Sequence, residues 1–249
     1  MTEKPLKRKN YGHIPHMPGS RMTPSDHKCN EGQFKIATVK IRDKYDEVIV
    51  QEKLDGSNVG VAKINDILYP ITRAGWIATS SKYEQHKHFY NWVYENYERF
   101  TTVLNNGERL VGEWLMQAHG TRYELKHEPF VAFDLMIEDK RLPYDEFIIR
   151  LNNKFITPKL IHRGEALNIE KVLNLLNVYG FHGAIDIVEG AVWRIERNIS
   201  SNEAYNKGKW KRVVDFLTKY VRPDKKDGCY LPEESGKEPI WNWYPTKEL

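Results

Sequence analysis

QEKLDGSNVGVAK, residues 51–63, decides how this chain is to be read. The β-prone runs Val48-Ile49-Val50 and Val59-Gly60-Val61 flank an acidic, glycine-bearing turn, LDGSN, and Lys53 stands immediately before that turn. The pattern predicts two strands joined by a tight connection, with a lysine displayed where one strand ends. Read alone, that lysine is a protonated surface group. It becomes a nucleophile only where burial or neighbouring cations lower its pKa, and Glu52 and Asp55 act in the opposite sense. A catalytic reading therefore needs further cations brought from elsewhere in the chain.

Further from this turn, strands are expected at 34–41, 47–52, 60–64 and 67–72. Phe89, Trp92, Val93, Tyr97 and Phe100 recur at helical spacing and predict one helix over 81–100. Buried strands are expected at 109–116 and 130–137, and a helix at 168–179 stopped by Gly180. Residues 184–188 and 191–196 read as a hairpin about Glu189-Gly190, and 209–216 as a last strand or strand-to-helix join. The sum is an α+β fold of antiparallel sheets carrying a few helices. Residues 1–33 are expected to be an irregular segment on the body, 34–220 the main domain, and 221–249 a short tail.

The 249 residues carry 38 Lys and Arg against 34 Asp and Glu, a net charge of +4 that permits a polyanionic partner without demanding one. No apolar run reaches the length of a membrane span, and the basic N-terminus lacks the apolar core of a secretory signal. Cys29 and Cys229 do not form a disulfide framework, so a reducing cytoplasm is expected, in a bacterial or phage-infected cell. The P-loop, the Rossmann glycine motif, G-x-S-x-G and H-E-x-x-H are all missing.

Several polar residues in apolar surroundings invite two readings each. Glu113 in RLVGEWLM and Glu189 in AIDIVEGAVWRIE are either outward-facing acids or hard oxygen ligands suited to Mg²⁺. Asp134 in FVAFDLM poses the same choice, and Phe133 beside it is core or a flat surface for a purine. Lys209 and Lys211, two apart, share one strand face and suit a polyphosphate, or else form a solvated basic edge.

The order KLDGSN at 53, TRAG at 72, GEW at 112, FVAFD at 130, VEGAVWR at 188 and KWK at 209 resembles the covalent nucleotidyltransferases, the superfamily of polynucleotide ligases and capping enzymes. Within it, the chain looks similar to the ATP-dependent RNA ligases of the bacteriophage double-strand-sealing type. The resemblance implies a ligase core of the nucleotidyltransferase, ATP-grasp-like kind, antiparallel sheets flanked by helices. It implies a lysyl-AMP on Lys53, with ATP and Mg²⁺ or Mn²⁺ as cofactors. It assigns Glu52 to the adenine edge, Asp55 and Gly56 to the K-x-D-G signature, and Asn58 to the phosphate and the metal's water shell. Arg73 and Glu113 fall to the ribose, and Phe133, with Asp134 beside it, to stacking on adenine. Glu189 and Glu113 become metal ligands, and Lys209 and Lys211 the phosphate lysines. The partners implied are RNA ends in nicked or duplex RNA, with DNA as an alternative, no membrane, and a monomeric enzyme. A minimal DNA ligase, a GTP-using capping enzyme and a non-catalytic nucleotide- or RNA-binding domain are the competing readings. About 38 residues follow Lys211, too few for a full C-terminal OB or helical domain.

Overall fold

A computed structural model of the protein describes residues 4–200 and 210–244, with the side chain of Trp210 left aside. Two antiparallel sheets form the body. The first joins β1 (Asp46–Lys53), β7 (Leu160–Gly164), β8 (Gly190–Ser200) and β9 (Trp210–Val221) in the order β7-β1-β8-β9. The second joins β2 (Ser57–Ile64), β3 (Ile67–Thr72), β4 (Glu108–Trp114), β5 (Phe130–Ile137) and β6 (Lys140–Arg141) in the order β3-β2-β4-β5-β6. Helices α1 (Glu31–Thr38) and α5 (Ile169–Leu176) pack on the first sheet, and α2 (Glu84–Glu95), α3 (Tyr97–Val103) and α4 (Tyr144–Leu151) on the second. A short helix, α6 (Pro232–Ser235), lies in the tail. No helix among the described residues is long and apolar enough to cross a membrane.

The apolar pattern explains this partition. Around β2, β4 and β5, Phe89, Trp92 and Phe100 from the helices interlock with Trp114 and Phe130 at ring separations of 5.2–5.9 Å, the edge and tilted geometry that aromatic quadrupoles favour. A second cluster gathers Val48, Val50, Trp193 and Ile195 under α1 and α5. A third, with Leu54, Leu115, Val131 and Val188, fills the seam between the sheets. The LDG turn is the crossing from one sheet to the other, so Lys53 stands at the last position of β1, on the lip of the cleft between them.

Several expected elements differ. Residues 34–41 are not a strand: Glu31–Thr38 is helical, capped by Asn30, whose side chain accepts from the Gln33 N–H while Gln33 answers to the Asn30 N–H. The helix expected over 81–100 is two helices that meet at Asn96, whose carboxamide donates to the Trp92 carbonyl at 2.9 Å. The hairpin expected about Glu189-Gly190 does not form. β8 has β1 on one edge and β9 on the other, which leaves 184–188 no edge to pair with.

The N-terminal segment forms a strap. His16 bridges Lys219 in parallel, the Met17 N–H donates to Lys219 O at 2.8 Å, and the Lys219 N–H donates to Pro15 O at 2.9 Å. Earlier in the strap the Asn10 N–H reaches Arg73 O, and the Tyr11 hydroxyl donates to Asp134 at 2.5 Å. The strap thus ties β9 of one sheet to the end of β3 and to β5 of the other, across the cleft.

Candidate active site

Under the strap lies a cavity of about 670 Å³, bordered by both sheets. Glu52, Lys53, Asp55, Gly56, Asn58, Arg73, Glu113, Phe133, Asp134 and Glu189 all line it, although they are spread over more than half of the sequence. The fold makes this convergence directly. In the first sheet Lys53 pairs with Gly190, which sets Glu189 beside it, and the Lys53 ammonium donates to Glu189 at 2.5 Å. In the second sheet Asn58 pairs with Glu113, whose carboxylate accepts from the Gly56 N–H at 3.1 Å. Gly56 is demanded by this crossing, because a Cβ there would lie 2.5 Å from the Trp114 carbonyl oxygen.

The charges are unequal. Burial alone would lower the pKa of Lys53, but Glu189, Glu113 and Asp55 outweigh it and hold the ammonium well above its ordinary range. The carboxylates by themselves decide the sign upward, and a depressed pKa requires cations that offset them. Burial raises Glu113 to about 7, against the pull of Lys53 and with the help of Glu189 and Asp55, and burial raises Glu189 as well. Two carboxylates that share one lysine in a desolvated cleft fit a divalent cation with phosphate oxygens completing its shell. Asn58 adds a buried oxygen, Oδ1, without a hydrogen-bond partner. No group of three or more metal-ligating side chains occurs among the described residues, so protein ligands alone would not enclose an ion.

Not every expected contact faces the cavity free. Asp55 Oδ2 accepts from the Gly120 N–H and the Thr121 hydroxyl, each at 3.1 Å, and pairs with the Lys225 ammonium at 3.3 Å. Asp134 is held by Arg194 at 2.6 Å, by Arg141 at 3.1 Å and by the Tyr11 hydroxyl. Arg194 belongs to β8 and Asp134 to β5, so this pair clamps one sheet to the other. Phe133 meets Tyr11 edge-on at 5.2 Å.

The phosphate lysines need a correction. Lys209 lies outside the described residues. Lys211 pairs with Ile199, while Gly190, next to Glu189, pairs with Val221. Roughly 30 Å of extended strand separates those two ends of the hairpin, and Lys211 is exposed and does not line the cavity. The lysine of β9 that does line it is Lys219, which sequence reading passed over. Burial lowers its pKa to about 8, helped by Lys53 and Arg73 and opposed by Glu189 and Asp26. The strap supplies further lining: His13, His16, Arg21 and Asp26.

Glu52 is 2% exposed, and burial raises its pKa to about 7. Oε2 accepts from the Phe181 N–H at 3.0 Å, whereas Oε1 has no partner. Gly180, at φ +58°, lies so close that a Cβ would come within 2.0 Å of Oε1. Ionised Glu52 therefore costs the fold stability. Because its folded pKa exceeds the ordinary 4.5, the penalty is absent below that value, grows as pH rises and is complete above about 7. Glu52→Gln is expected to melt higher than the parent at pH 8, by up to about 3 kcal/mol, and to lose that advantage near pH 4. Thermal melts of both chains across that range check it.

A sequence model of the family described as RNA ligase matches residues 46–221, well over half of the chain. The chain belongs to the RNA ligase family. Among solved structures, an apo mutant of the Naegleria gruberi RNA ligase is 17% identical, with a TM-score of 0.50, over 92% of this chain and 64% of that one. Another mutant of that ligase, solved with ATP and Mn, is 18% identical, with a TM-score of 0.50, over 84% and 59%. An archaeal ATP-dependent RNA ligase gives 19% identity and a TM-score of 0.46, over 71% and 42%. The two Naegleria comparisons show a shared fold, two antiparallel sheets with flanking helices. The present RNA ligase family chain spans 42% to 64% of the length of these three structures. A search of curated proteins gave no match.

Proposed function

We propose that the protein is an ATP-dependent RNA ligase that joins 5′-phosphate to 3′-OH ends through a lysyl-AMP on Lys53. The observation that carries this reading is the placement of Lys53 Nζ, in a cavity that also gathers Glu52, Glu113, Phe133, Glu189, Arg73 and Lys219. Glu52 Oε1, buried and unpartnered, fits the exocyclic amine of adenine, and the Phe133 ring offers a face for the base. A divalent cation held by Glu113 and Glu189 would supply Lewis-acid charge beside the phosphates.

Three transfers follow. In the first, Lys53 Nζ bonds to the α-phosphorus and the bond to the β-phosphate oxygen breaks, releasing pyrophosphate. The lysine proton has an acceptor in Glu189, 2.5 Å away. In the second, an oxygen of an RNA 5′-phosphate bonds to the adenylyl phosphorus and the Lys53 N–P bond breaks. In the third, a 3′-OH attacks the activated end and AMP leaves. Lys219 and Arg73 are placed to stabilise charge on the transferring phosphate. The substrate favoured is a nicked RNA duplex, the double-strand-sealing mode that the motif order resembles.

A panel of nicked RNA·RNA, RNA·DNA and DNA·DNA duplexes tests the reading. Sealing is expected where both ends at the nick are RNA, and a preference for DNA·DNA would overturn it. Lys219→Ala is expected to slow adenylyl transfer by about a hundredfold, the scale of losing one charge-stabilising donor. Lys211→Ala is expected to stay within about twofold of the parent, as for a surface change away from the site. Single-turnover formation of the adduct measures both.

A further inference from the structure

Beside Glu52 two histidines stand in line. His127 Nδ1 lies 2.6 Å from the Glu128 carbonyl oxygen, which can only accept, so Nδ1 carries a hydrogen. In neutral His127, Nε2 is then a bare acceptor. It lies 3.0 Å from His182 Nδ1, which must donate to it. That leaves His182 Nε2 with a lone pair, and it faces Glu52 Oε2 at 4.0 Å with no hydrogen-bond partner. His182 is 6% exposed and Glu52 2%. Two acceptors thus confront each other in a desolvated place, and one added proton turns their repulsion into attraction. The proton can sit on Glu52 or on His182. Among the described residues, the buried Tyr123 phenol, on which Glu52 acts, and the Lys159 ammonium, 5.4 Å over the Phe181 ring, also lie near the pair.

We propose that His182, backed by His127, is a positioning residue for nucleobase selection: it keeps the proton of this chain on the Oε2 side of Glu52, so that Oε1 meets the base only as an acceptor. An acceptor-only Oε1 pairs with a 6-amino purine and repels the carbonyl of a 6-oxo purine. Without His182, a protonated Glu52 can carry its hydrogen on Oε1 and donate to that carbonyl. The inference rests on the ligase reading above, in which Glu52 faces the base. Burial supports it by raising Glu52 to about 7 and lowering His182 to about 4, so that near neutral pH the proton rests on Glu52 and the neutral His182 keeps its lone pair.

The test compares ATP with ITP as nucleotidyl donor to the full chain, by intact mass, from about pH 6 to about pH 8.5. The parent is expected to prefer ATP by a ratio that stays flat with pH. His182→Ala is expected to lose about tenfold of that preference at the acid end, the scale of one mismatched hydrogen-bonding group. It should regain the preference at the alkaline end, where Glu52 is ionised and only accepts. His182→Gln, whose carboxamide oxygen accepts from protonated Oε2 and whose nitrogen donates to ionised Oε2, should restore the flat profile, a rescue that packing alone does not produce. His127→Ala should show a weaker form of the alanine profile, and it decides the matter should His182→Ala fail to fold. An ATP-to-ITP ratio in the folded variants that matches the parent at every pH overturns the inference while leaving the ligase reading intact. A parent chain that takes up neither nucleotide overturns both.

Discussion

Lys53→Ala is expected to take up no AMP: incubated with ATP and a divalent cation, the parent should gain the mass of one adenylyl group and the variant keep its own mass. The expected loss is at least about three orders of magnitude in adduct formation, because the bond itself is removed rather than a contact that assists it. Among the described residues, Lys219 is the other cavity-lining lysine, and it leaves from β9 rather than from the end of β1. Lys53→Arg keeps the charge opposite Glu189 but replaces the compact amine with a guanidinium that stays protonated, so it too should fail to form the adduct. It should also fold as the parent does, which separates loss of chemistry from loss of structure. A parent chain that shows no gain in mass under varied metal and pH would defeat the ligase proposal.

The second large effect concerns stability. Lys225→Met should lower the melting temperature by about 10 °C, for a cost of about 3–5 kcal/mol. Lys225 is 6% exposed, and its ammonium donates to the Gly120 and Ile187 carbonyls and to the Thr121 hydroxyl while it faces Asp55. Methionine fills the space but leaves a buried carboxylate without its counter-charge, which is the costly way to break such a pair. Replacing both partners, Asp55→Asn with Lys225→Met, should recover part of the loss, and a double-mutant cycle on the melts measures that recovery. The aspartate of the K-x-D-G signature is therefore a fastening for the tail as well as a neighbour of the nucleophile.

How legible these features were in the sequence depended on the range of the interaction that fixes each one. β5 carries a near-continuous apolar run and its burial follows from composition, whereas β1 and β4 bury Gln51, Glu52, Glu108 and Arg109 beside short apolar runs, which composition does not announce. The stretch FKIATVKI alternates like a strand, yet Asn30 and Gln33 form a capping box, a local signal that outweighs the alternation. Residues 184–188 fail as a strand for a non-local reason, since β1 and β9 occupy both edges of β8. The convergence of Lys53, Glu113, Phe133 and Glu189 was legible because motif order carries it. Lys219 was missed because its nearness to Glu189 exists only through hairpin register: it pairs with Val192, two residues beyond Gly190. Counting back along a hairpin that starts at Gly190 would have found it. His127 and His182 gave no signal, since nothing in their spacing announces a shared proton.

The strap that roofs the cavity leaves the ribosome well before the edge it docks on, because Met17 precedes Lys219 along the chain by most of the two sheets. Pro15 and Met17 wait for Lys219, and Arg21 waits for the Val221 carbonyl. During synthesis the strap is therefore held at one end only until β9 has emerged: Asn10 and Tyr11 can already reach Arg73 and Asp134, whereas Pro15, Met17 and Arg21 lack their partners. A nascent chain arrested before β9 presents a nucleotide pocket with a half-fastened roof, and protease cleavage within 10–30 of such an intermediate is a direct readout of how late the lid settles.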